Sequence, residues 1–189
     1  MHIAGLDEAG KGAWAGPLVA GAVILPVGFR ALTVNDSKVL TAKQRERLFV
    51  HITRHATAWA VGVVHSSYID RHGIAAANKK ALIDALKKLH VRPDAILVDA
   101  VRIKYGKKPV KAIIDGDAKV LSIAAASIVA KVVRDSLMDT ERFLWPQYDF
   151  PQHKGYGTAA HQRALATHGP SAIHRRTFRP IKDLIKKKA

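Results

Sequence analysis

The feature that most constrains this chain is residues 3–12, where an apolar run ends at two adjacent carboxylates, Asp7 and Glu8. Side chains of a regular strand alternate between faces, so one acid inside a strand would be buried at a cost of several kcal/mol. We therefore predict a strand over 3–6 that ends at the acids, where both can reach a divalent cation. The glycine turn, Gly10-Lys11-Gly12, follows and allows close backbone approach beside a positive charge. Together these features favour phosphodiester chemistry.

Two other interpretations fit the same ten residues. One is an ordinary strand and turn with solvated acids. The other is a phosphate-binding loop, because Gly5-x-x-x-x-Gly10-Lys11-Gly12 approaches the pattern G-x-x-x-x-G-K-[ST]. That match fails because Gly12 lacks the hydroxyl that binds magnesium, two acids stand where phosphates would lie, and residues 13–17 do not begin a helix.

The charge of the whole chain points to a polyanionic partner. Its 189 residues include 31 Lys and Arg against 15 Asp and Glu, a formal net charge of +16. Such an excess favours nucleic acid first and an anionic membrane second. The absence of cysteine excludes disulfides and thiolate metal sites, which fits a reducing, cytoplasmic compartment. The length predicts a single domain over 1–189, basic and partly helical from about residue 140.

The longest uncharged stretch, residues 12–29, resembles a membrane span only in length. It contains four glycines and two prolines, so we interpret it as a buried strand over 18–25 with a turn at each end. A signal peptide is also not expected, because the acids at positions 7 and 8 interrupt any apolar segment and no basic segment precedes it. We therefore expect no membrane association.

Apolar periodicity predicts alternating strands and helices along the chain. The predicted strands are 3–6, 18–25, 58–64, 95–98 and 112–114. The first predicted helix begins at a capping box, Thr41-x-x-Gln44. A short helix is predicted to begin at Ser67-x-x-Asp70 and to end at Gly73, a longer one follows to His90, and another runs from Ile123 to Met138. The first two strands would pair antiparallel across the glycine turn, and a helical crossover would place strand 95–98 parallel to the first. This order indicates an α/β fold with a mixed sheet.

Carboxylates also follow two later strands of the predicted sheet. Asp99 ends one strand, and either Asp115 or Asp117 follows the next. With Asp7 and Glu8 they would gather at the sheet edge where open α/β sheets usually bind ligands. Four carboxylates that close together repel unless cations hold them. Two magnesium or manganese ions would do so and could support in-line phosphodiester hydrolysis.

Taken in order, the motifs of this chain resemble those of the ribonuclease HII family. They are Asp7-Glu8-Ala9-Gly10-Lys11-Gly12 with Gly16-Pro17, Asn35-Asp36-Ser37-Lys38, Val98-Asp99, Gly116-Asp117, Ala124-Ala125-Ala126-Ser127-Ile128-Val129-Ala130-Lys131 with Arg134-Asp135, His153-Lys154-Gly155-Tyr156-Gly157-Thr158, and His174-Arg175-Arg176. The resemblance covers residues 3 to about 180. It implies a ribonuclease H-like fold, with a mixed central sheet flanked by helices and a helical C-terminal extension.

The resemblance implies an endoribonuclease that cleaves RNA paired with DNA and nicks 5′ of ribonucleotides embedded in duplex DNA, leaving 5′-phosphate and 3′-hydroxyl ends. These nucleic acids are the expected partners of a monomeric protein. The implied cofactors are two divalent ions, Mn²⁺ or Mg²⁺. Their implied ligands are the catalytic residues Asp7, Glu8, Asp99 and Asp117, which selects Asp117 over Asp115.

The resemblance also implies a set of substrate contacts. The 2′-hydroxyl at the junction would be recognised through the backbone of Gly10, Lys11 and Gly12. Ser37 and Lys38 would contact backbone phosphate, and Tyr156 would pack on the adjoining sugar. Lys11 departs from the usual arginine of the family, so it keeps the charge and loses the bidentate fork.

Some of these residues have plainer interpretations. We predict that Asp135, which follows Arg134 on a helix, forms a structural ion pair, and that His153 is structural. Tyr156 lies between Gly155 and Gly157, and because glycines do not pack, a substrate contact is the better explanation of the tyrosine.

Two competing functions remain at the level of sequence. One is a non-enzymatic basic RNA-binding protein of ribosomal type, which has no use for carboxylates at separate strand ends. The other is a different nuclease of the same superfold, such as an integrase-like strand transferase. Metal-dependent hydrolysis of a labelled hybrid distinguishes the first, and an assay for joined product distinguishes the second.

Overall fold

A five-stranded mixed sheet in the order β3-β2-β1-β4-β5 forms the centre of the computed structural model, which describes residues 1–29 and 40–188. The strands are β1 Ile3–Ala9, β2 Leu18–Ile24, β3 Ala58–Val64, β4 Ala95–Asp99 and β5 Val110–Ile113. The helices are α1 Ala42–His55, α2 Ser66–His72, α3 Ile74–Lys88, α4 Gly116–Lys119, α5 Leu121–Thr140, α6 Phe150–His153, α7 Ala159–His168 and α8 Arg179–Lys188. Two short 3₁₀ turns, Glu141–Phe143 and Pro146–Tyr148, link α5 to α6.

The strand pairing follows the predicted pattern. β1 and β3 both pair antiparallel with β2, whereas β4 pairs parallel with β1 and with β5. The predicted antiparallel pair across the glycine turn and the predicted helical crossover are both confirmed. The carboxyl ends of β1 and β4 consequently lie at the same edge of the sheet.

The first strand is longer than predicted and contains both acids. Asp7 pairs with Gly21 and Glu8 with Ala20, so the prediction that the strand ends before the acids is wrong. The parallel ladder to β4 stops earlier, at Leu6 opposite Val98. The acids therefore keep strand geometry by pairing with β2, while the main chain of β1 beyond Leu6 has no ladder partner in β4.

Two helices cover opposite faces of the sheet at very short range. A Cβ on Gly5 of β1 would lie 2.2 Å from the carbonyl carbon of Ser122 in α5, and one on Gly62 of β3 would lie 2.0 Å from the carbonyl oxygen of Ala81 in α3. Real Cβ atoms do not approach backbone so closely, so only glycine allows these helices to dock.

Of two predicted helix starts, the one at Thr41 agrees with the structure and the next differs by one residue. Thr41 caps α1 through the predicted box, because its hydroxyl accepts from the Gln44 N–H at 3.3 Å while the Gln44 side chain accepts from the Thr41 N–H at 2.8 Å. The next helix begins at Ser66 rather than Ser67, and Asp70 does not cap it. Asp70 instead accepts hydrogen bonds from the Thr177 N–H and hydroxyl, at 2.9 and 2.8 Å.

The C-terminal helices pack against the segment that follows the glycine turn. Ala15 forms an isolated antiparallel bridge with His174 and belongs to the same apolar cluster as Phe150 and Ile181. The Trp14 N–H donates to the Gly155 carbonyl at 2.8 Å. Across the described residues, no helix has the length and apolarity needed to span a membrane.

Candidate active site

An open cleft of about 520 Å³ lies at the carboxyl end of β1 and β4. All four predicted acids line it: Asp7 and Glu8 from β1, Asp99 from the last position of β4, and Asp117 from α4. Its other lining residues are Ala9, Gly10, Lys11, Gly12, Arg45, Ser127, Ile128, Lys131 and Tyr156. Asp115 is not among the described residues that line the cleft. It is exposed and has a left-handed φ of 54°.

Asp7 lies deep in this cleft, with 7% of its surface exposed. Burial raises the pKa of its carboxyl to about 7, and the charges of Glu8 and Asp99 act in the same direction. Hydrogen bonds from the Ser127 hydroxyl and from the Glu8 N–H, the latter at 2.7 Å, act against them. Without a cation, the negative form of Asp7 is therefore poorly stabilised.

Glu8 has one paired and one unpaired oxygen. Its Oε1 lies 3.3 Å from the Lys11 Nζ, while its Oε2 is buried and has no hydrogen-bond partner among the described residues. A buried carboxylate oxygen without a partner is costly, and a bound cation would satisfy it. Lys11 thus neutralises part of the charge of Glu8 at the mouth of the cleft, where 55% of its side chain is exposed.

Asp99 is held in place by the start of α4. Its Oδ1 accepts the Gly116 N–H at 2.7 Å. A Cβ on Gly116 would lie 2.7 Å from the Ile123 Cδ1 and 3.3 Å from the Asp99 Oδ1, so glycine is needed for this approach. The same contact positions the next residue, Asp117, in the first turn of α4 beside the end of β4.

The chemistry of these donors suits a hard divalent cation. The cleft offers carboxylate oxygens, one of them without a partner, and an aspartate whose pKa is raised. No three histidine or carboxylate side chains of the described ranges already surround a single point as metal ligands.

The glycine turn is shaped by a buried arginine beneath it. Gly10 has a φ of +89°, and a Cβ there would lie 1.9 Å from the Arg134 Nε. Gly12 differs, because its Cβ would meet no described atom within 4 Å. Gly10 is thus required by the fold, whereas Gly12 leaves open space on the cleft side.

Two fully buried arginines support the loop over residues 10–17. Arg134 donates to the carbonyls of Ala15 and Pro17, at 3.2 and 3.0 Å. Arg175 donates to the carbonyls of Lys11 and Gly16, at 3.0 Å and 3.1–3.2 Å. Burial lowers the pKa of both guanidinium groups, that of Arg175 to about 9.

This arrangement orients one amide of the glycine turn. The Lys11 carbonyl points at Arg175, and in a trans peptide the following N–H points the opposite way. The Gly12 N–H therefore faces away from the buried arginine and is available as a donor.

The predicted structural ion pair of Asp135 is confirmed. Its partner is Lys131, at 2.9 Å and one helical turn away, and not the adjacent Arg134. Adjacent residues on a helix point in different directions, whereas residues four apart share a face. Arg134 points into the core and Asp135 lies at the surface of α5.

Tyr156 is half-buried and lines the cleft. Its ring centre lies 5.1 Å from the Arg134 guanidinium carbon and 5.5 Å from the Lys131 Nζ, within cation–π range. The flanking glycines do pack, contrary to expectation: a Cβ on Gly157 would lie 2.1 Å from the Trp14 ring, and one on Gly155 would lie 2.5 Å from a backbone oxygen. They are needed to seat the turn that presents the tyrosine.

Three cleft residues were missed by sequence reasoning. Ser127 and Lys131 lie four residues apart on one face of α5, a spacing that could have indicated a shared surface. Arg45 projects from α1, and no motif marked it. Ser37 and Lys38, the predicted phosphate contacts, lie outside the described residues. His153 is buried and its Nε2 bonds to the Tyr148 carbonyl at 2.7 Å, which confirms the structural interpretation.

A mixed α/β sheet with four acids at one edge, in a strongly basic chain, defines a nuclease of the ribonuclease H type. The sequence model of the family Ribonuclease HII matches residues 4–181. The chain is 51% identical to ribonuclease HII of Chloroflexus aurantiacus, covering 95% of this chain and 87% of that protein. It is also 51% identical to ribonuclease HII of Roseiflexus castenholzii, covering 96% and 84%. The chain therefore belongs to the ribonuclease HII family.

Solved structures agree with this assignment. Ribonuclease H2 from Pyrococcus horikoshii OT3 superposes with a TM-score of 0.84 at 27% identity, over 99% of this chain and 98% of that one. RNase HII of Archaeoglobus fulgidus, solved in complex with PCNA, gives 0.80 at 25% identity over 96% of each chain. The predicted ribonuclease H-like fold is confirmed, and so is the predicted class of enzyme, a metal-dependent endoribonuclease acting on RNA–DNA hybrids.

Proposed function

We propose that this enzyme cleaves hybrid RNA and also nicks duplex DNA on the 5′ side of a single embedded ribonucleotide, with two divalent cations, Mn²⁺ or Mg²⁺, as cofactors. The observation that carries the proposal is the meeting of the four acids with the glycine turn and Tyr156 around one cleft. The acids suit phosphodiester hydrolysis, and the other two features suit recognition of the sugar.

The catalytic roles fall to Asp7, Glu8, Asp99 and Asp117, as ligands of the cations. When bound, the cations supply an activated water and stabilise the leaving oxygen. Asp7 and Glu8 bring the most strongly destabilised charges of the cleft, a buried carboxyl with raised pKa and an unpartnered oxygen. Asp99 is already oriented by the Gly116 N–H. Binding of the cations would therefore relieve the repulsion between these carboxylates.

Recognition of the ribose falls to the glycine turn. The 2′-hydroxyl is the group that distinguishes RNA from DNA, and it can both donate and accept. The outward Gly12 N–H and the open space beside Gly12 offer it a donor and room. Gly10 and Lys11 complete this backbone contact.

Tyr156 adds discrimination at the neighbouring sugar. The Lys131 ammonium and the Arg134 guanidinium lie against its ring, so the ring is held at the cleft wall rather than free to rotate. An aromatic ring packed on a sugar favours one without a 2′-hydroxyl, and the combination selects a junction between RNA and DNA.

Phosphate binding falls to the basic residues of the cleft wall. Arg45 and Lys131 join Lys11 there, and a net charge of +16 adds a long-range attraction. We propose the same role for Ser37 and Lys38. Such contacts position the nucleic acid without reading it.

We further propose that residues 1–189 act as one catalytic unit, a cytoplasmic monomer. The packing of the C-terminal helices on residues 14–16 supports a single unit, and the absence of cysteine fits a reducing compartment. Light scattering on the purified protein measures the molecular mass in solution, and a mass near 20.6 kDa is expected.

The test of junction cleavage uses a labelled duplex with one ribonucleotide beside an all-RNA hybrid, first with Mg²⁺ and then with Mn²⁺. We expect both to be cut, the former only on the 5′ side of the ribonucleotide. Tyr156→Ala should lose most activity at the single ribonucleotide, and Tyr156→Phe, which keeps the ring, should retain it. If only the all-RNA hybrid is cut with either metal, the proposed junction specificity is wrong.

A further inference from the structure

Three histidines, His153, His161 and His174, form a buried cluster behind the turn that carries Tyr156. Their exposed fractions are 6%, 0% and 1%. The rings of His153 and His161 are stacked, with centres 4.4 Å apart and planes 15° apart. None of them lines the catalytic cleft, so the described residues give this cluster no direct contact with substrate.

The hydrogen-bond partners fix where each proton lies in the chain of contacts from Ser171 to Tyr156. The Ser171 N–H donates to the His174 Nδ1 at 2.9 Å, so that nitrogen accepts and the ring proton is on Nε2. The His174 Nε2 lies 2.9 Å from the His161 Nε2 and donates to it. The His161 proton is then on Nδ1, where it donates to the Tyr156 carbonyl at 3.0 Å.

The same reasoning assigns the third ring. The Gly155 N–H donates to the His153 Nδ1 at 3.2 Å, and the His153 Nε2–H donates to the Tyr148 carbonyl at 2.7 Å. Every ring nitrogen of the cluster therefore has a hydrogen-bond partner. A further proton on any of the accepting nitrogens would point an N–H at another N–H group. Burial accordingly lowers the pKa of His161 to about 4 and that of His174 to about 3.

We propose that His161 and His174 are positioning residues for Tyr156. The chain of donors running from Ser171 through both rings ends on the Tyr156 carbonyl and fixes the turn that presents the tyrosine to the cleft. Hydrogen bonds in such a chain polarise one another, so the last bond is stronger than an isolated one. This inference rests on the proposed role of Tyr156 and assigns selectivity at the ribonucleotide junction to side chains that do not touch the substrate.

The proton positions can be measured without any substrate. Histidine side-chain ¹⁵N spectra of the metal-free protein at pH 7 distinguish the two neutral tautomers and the charged ring. We expect the rings of His161 and His174 to be neutral, with the proton of His161 on Nδ1 and that of His174 on Nε2. A His161 ring protonated on Nε2, or charged, would overturn the proposal.

Paired variants of His161 test the consequence for selectivity. His161→Phe fills the space but removes the donor, whereas His161→Asn keeps an N–H close to the Nδ1 position. We expect His161→Phe to lower the ratio of single-ribonucleotide to all-RNA cleavage about tenfold, the worth of one buried hydrogen bond. His161→Asn should restore most of that ratio.

Equal losses on both substrates, or no rescue by asparagine, would show that the cluster only supports the fold. If wild-type protein does not cut the single ribonucleotide, the proposed function fails, while the ¹⁵N spectra still decide the proton chain. If His161→Phe does not fold, His161→Asn and the spectra remain decisive.

Discussion

At the scale of single residues, the two adjacent acids of β1 meet different surroundings. Asp7 is buried against Ser127 and shifted toward its neutral form, while Glu8 keeps one oxygen on Lys11 and leaves the other without a partner. Neither environment favours the folded protein without cations. The acids are therefore retained at a cost to stability, as is common for groups that serve function.

Replacing one acid tests this view. Asp99→Asn should abolish cleavage, yet leave the melting temperature in EDTA unchanged or higher, because repulsion falls and the asparagine oxygen can still accept from the Gly116 N–H. Asp117→Asn should behave in the same way. Asp115→Asn is the matched control, since Asp115 is exposed and outside the cleft, and it should keep wild-type activity. A melting temperature far below wild type in EDTA would mean that Asp99 holds the fold together.

The buried histidines make stability depend on pH. Unfolded His161 binds a proton below its ordinary pKa of 6.5, whereas the folded form resists protonation down to about 4. Its contribution is therefore complete above pH 6.5 and is lost as pH falls toward 4, a change of about 3 kcal/mol. Asp7 acts in the opposite direction, because its raised pKa favours the folded state as pH falls from 7.

A comparison of variants removes the contribution of Asp7. The difference in unfolding free energy between wild type and His161→Phe, from urea titrations, should shrink between pH 7 and pH 4. The titratable residues around His161 are present in both proteins: His153, His174 and Tyr156 contact it, and Tyr148 contacts His174. A difference that is independent of pH would contradict the neutral state of His161.

At the scale of elements, the glycine turn is an exposed segment built on buried supports. Arg134 and Arg175 hold its carbonyls from below, and in the described residues neither guanidinium forms a salt bridge. A cation in the core is costly unless hydrogen-bonded, and here main-chain oxygens accept from both side chains, leaving only the Arg134 Nη1 without a hydrogen-bond partner among the described residues. The turn and the two arginines are therefore one structural unit.

Two glycine variants separate support from function. Gly10→Ala should lower the unfolding free energy by about 1–3 kcal/mol, because its φ of +89° is strained and its Cβ would displace the Arg134 Nε. Gly12→Ala should change the unfolding free energy by no more than about 0.5 kcal/mol, because its Cβ enters open space. It should weaken hybrid binding, because that space is where we propose that the ribose binds. Urea denaturation and hybrid titration measure the two effects. If Gly12→Ala lowered the unfolding free energy as much as Gly10→Ala, the turn would have a different conformation from the one described.

The sequence was sufficient where neighbours in the chain decide the structure. The Thr41 cap depends on a residue three positions away, and strand 95–98 on its own apolar run, and both were predictable. The partners of Arg134 were not, because the carbonyls it binds lie 117 and 119 residues earlier in the chain. The gathering of acids was predictable from strand order, whereas the inclusion of Asp7 and Glu8 in β1 depends on ladder partners in β2.

At the scale of the whole molecule, charge sets how the protein meets nucleic acid. The chain carries 31 basic against 15 acidic side chains, and four of the acids line one cleft together with the basic residues Lys11, Arg45 and Lys131. Substrate is thus attracted from a distance to a site that repels phosphate at close range until cations bind. Binding and cleavage should consequently respond differently to salt and to metal.

The salt dependence of binding tests this view. In EDTA, the logarithm of hybrid affinity should fall with the logarithm of salt concentration by roughly 0.7–0.9 per phosphate neutralised, over several phosphates. Lys131→Ala should reduce the slope by about one. Lys79→Ala, an exposed lysine outside the cleft, is the control and should change it less. A nearly flat dependence by fluorescence anisotropy would show that the basic residues do not face the substrate.

The bond between Arg175 and the Lys11 carbonyl joins residues 164 positions apart, and this has a consequence for the order of events during synthesis. By the time residue 117 has been added, a growing chain already contains all four acids, but the support beneath its glycine turn is still missing. Arg134 supplies part of that support, and Arg175 completes it only later in the chain. The nascent chain therefore contains the four proposed ligand carboxylates before the turn that we propose binds the ribose is fully supported, and we expect nuclease activity only after Arg175 has packed beneath that turn.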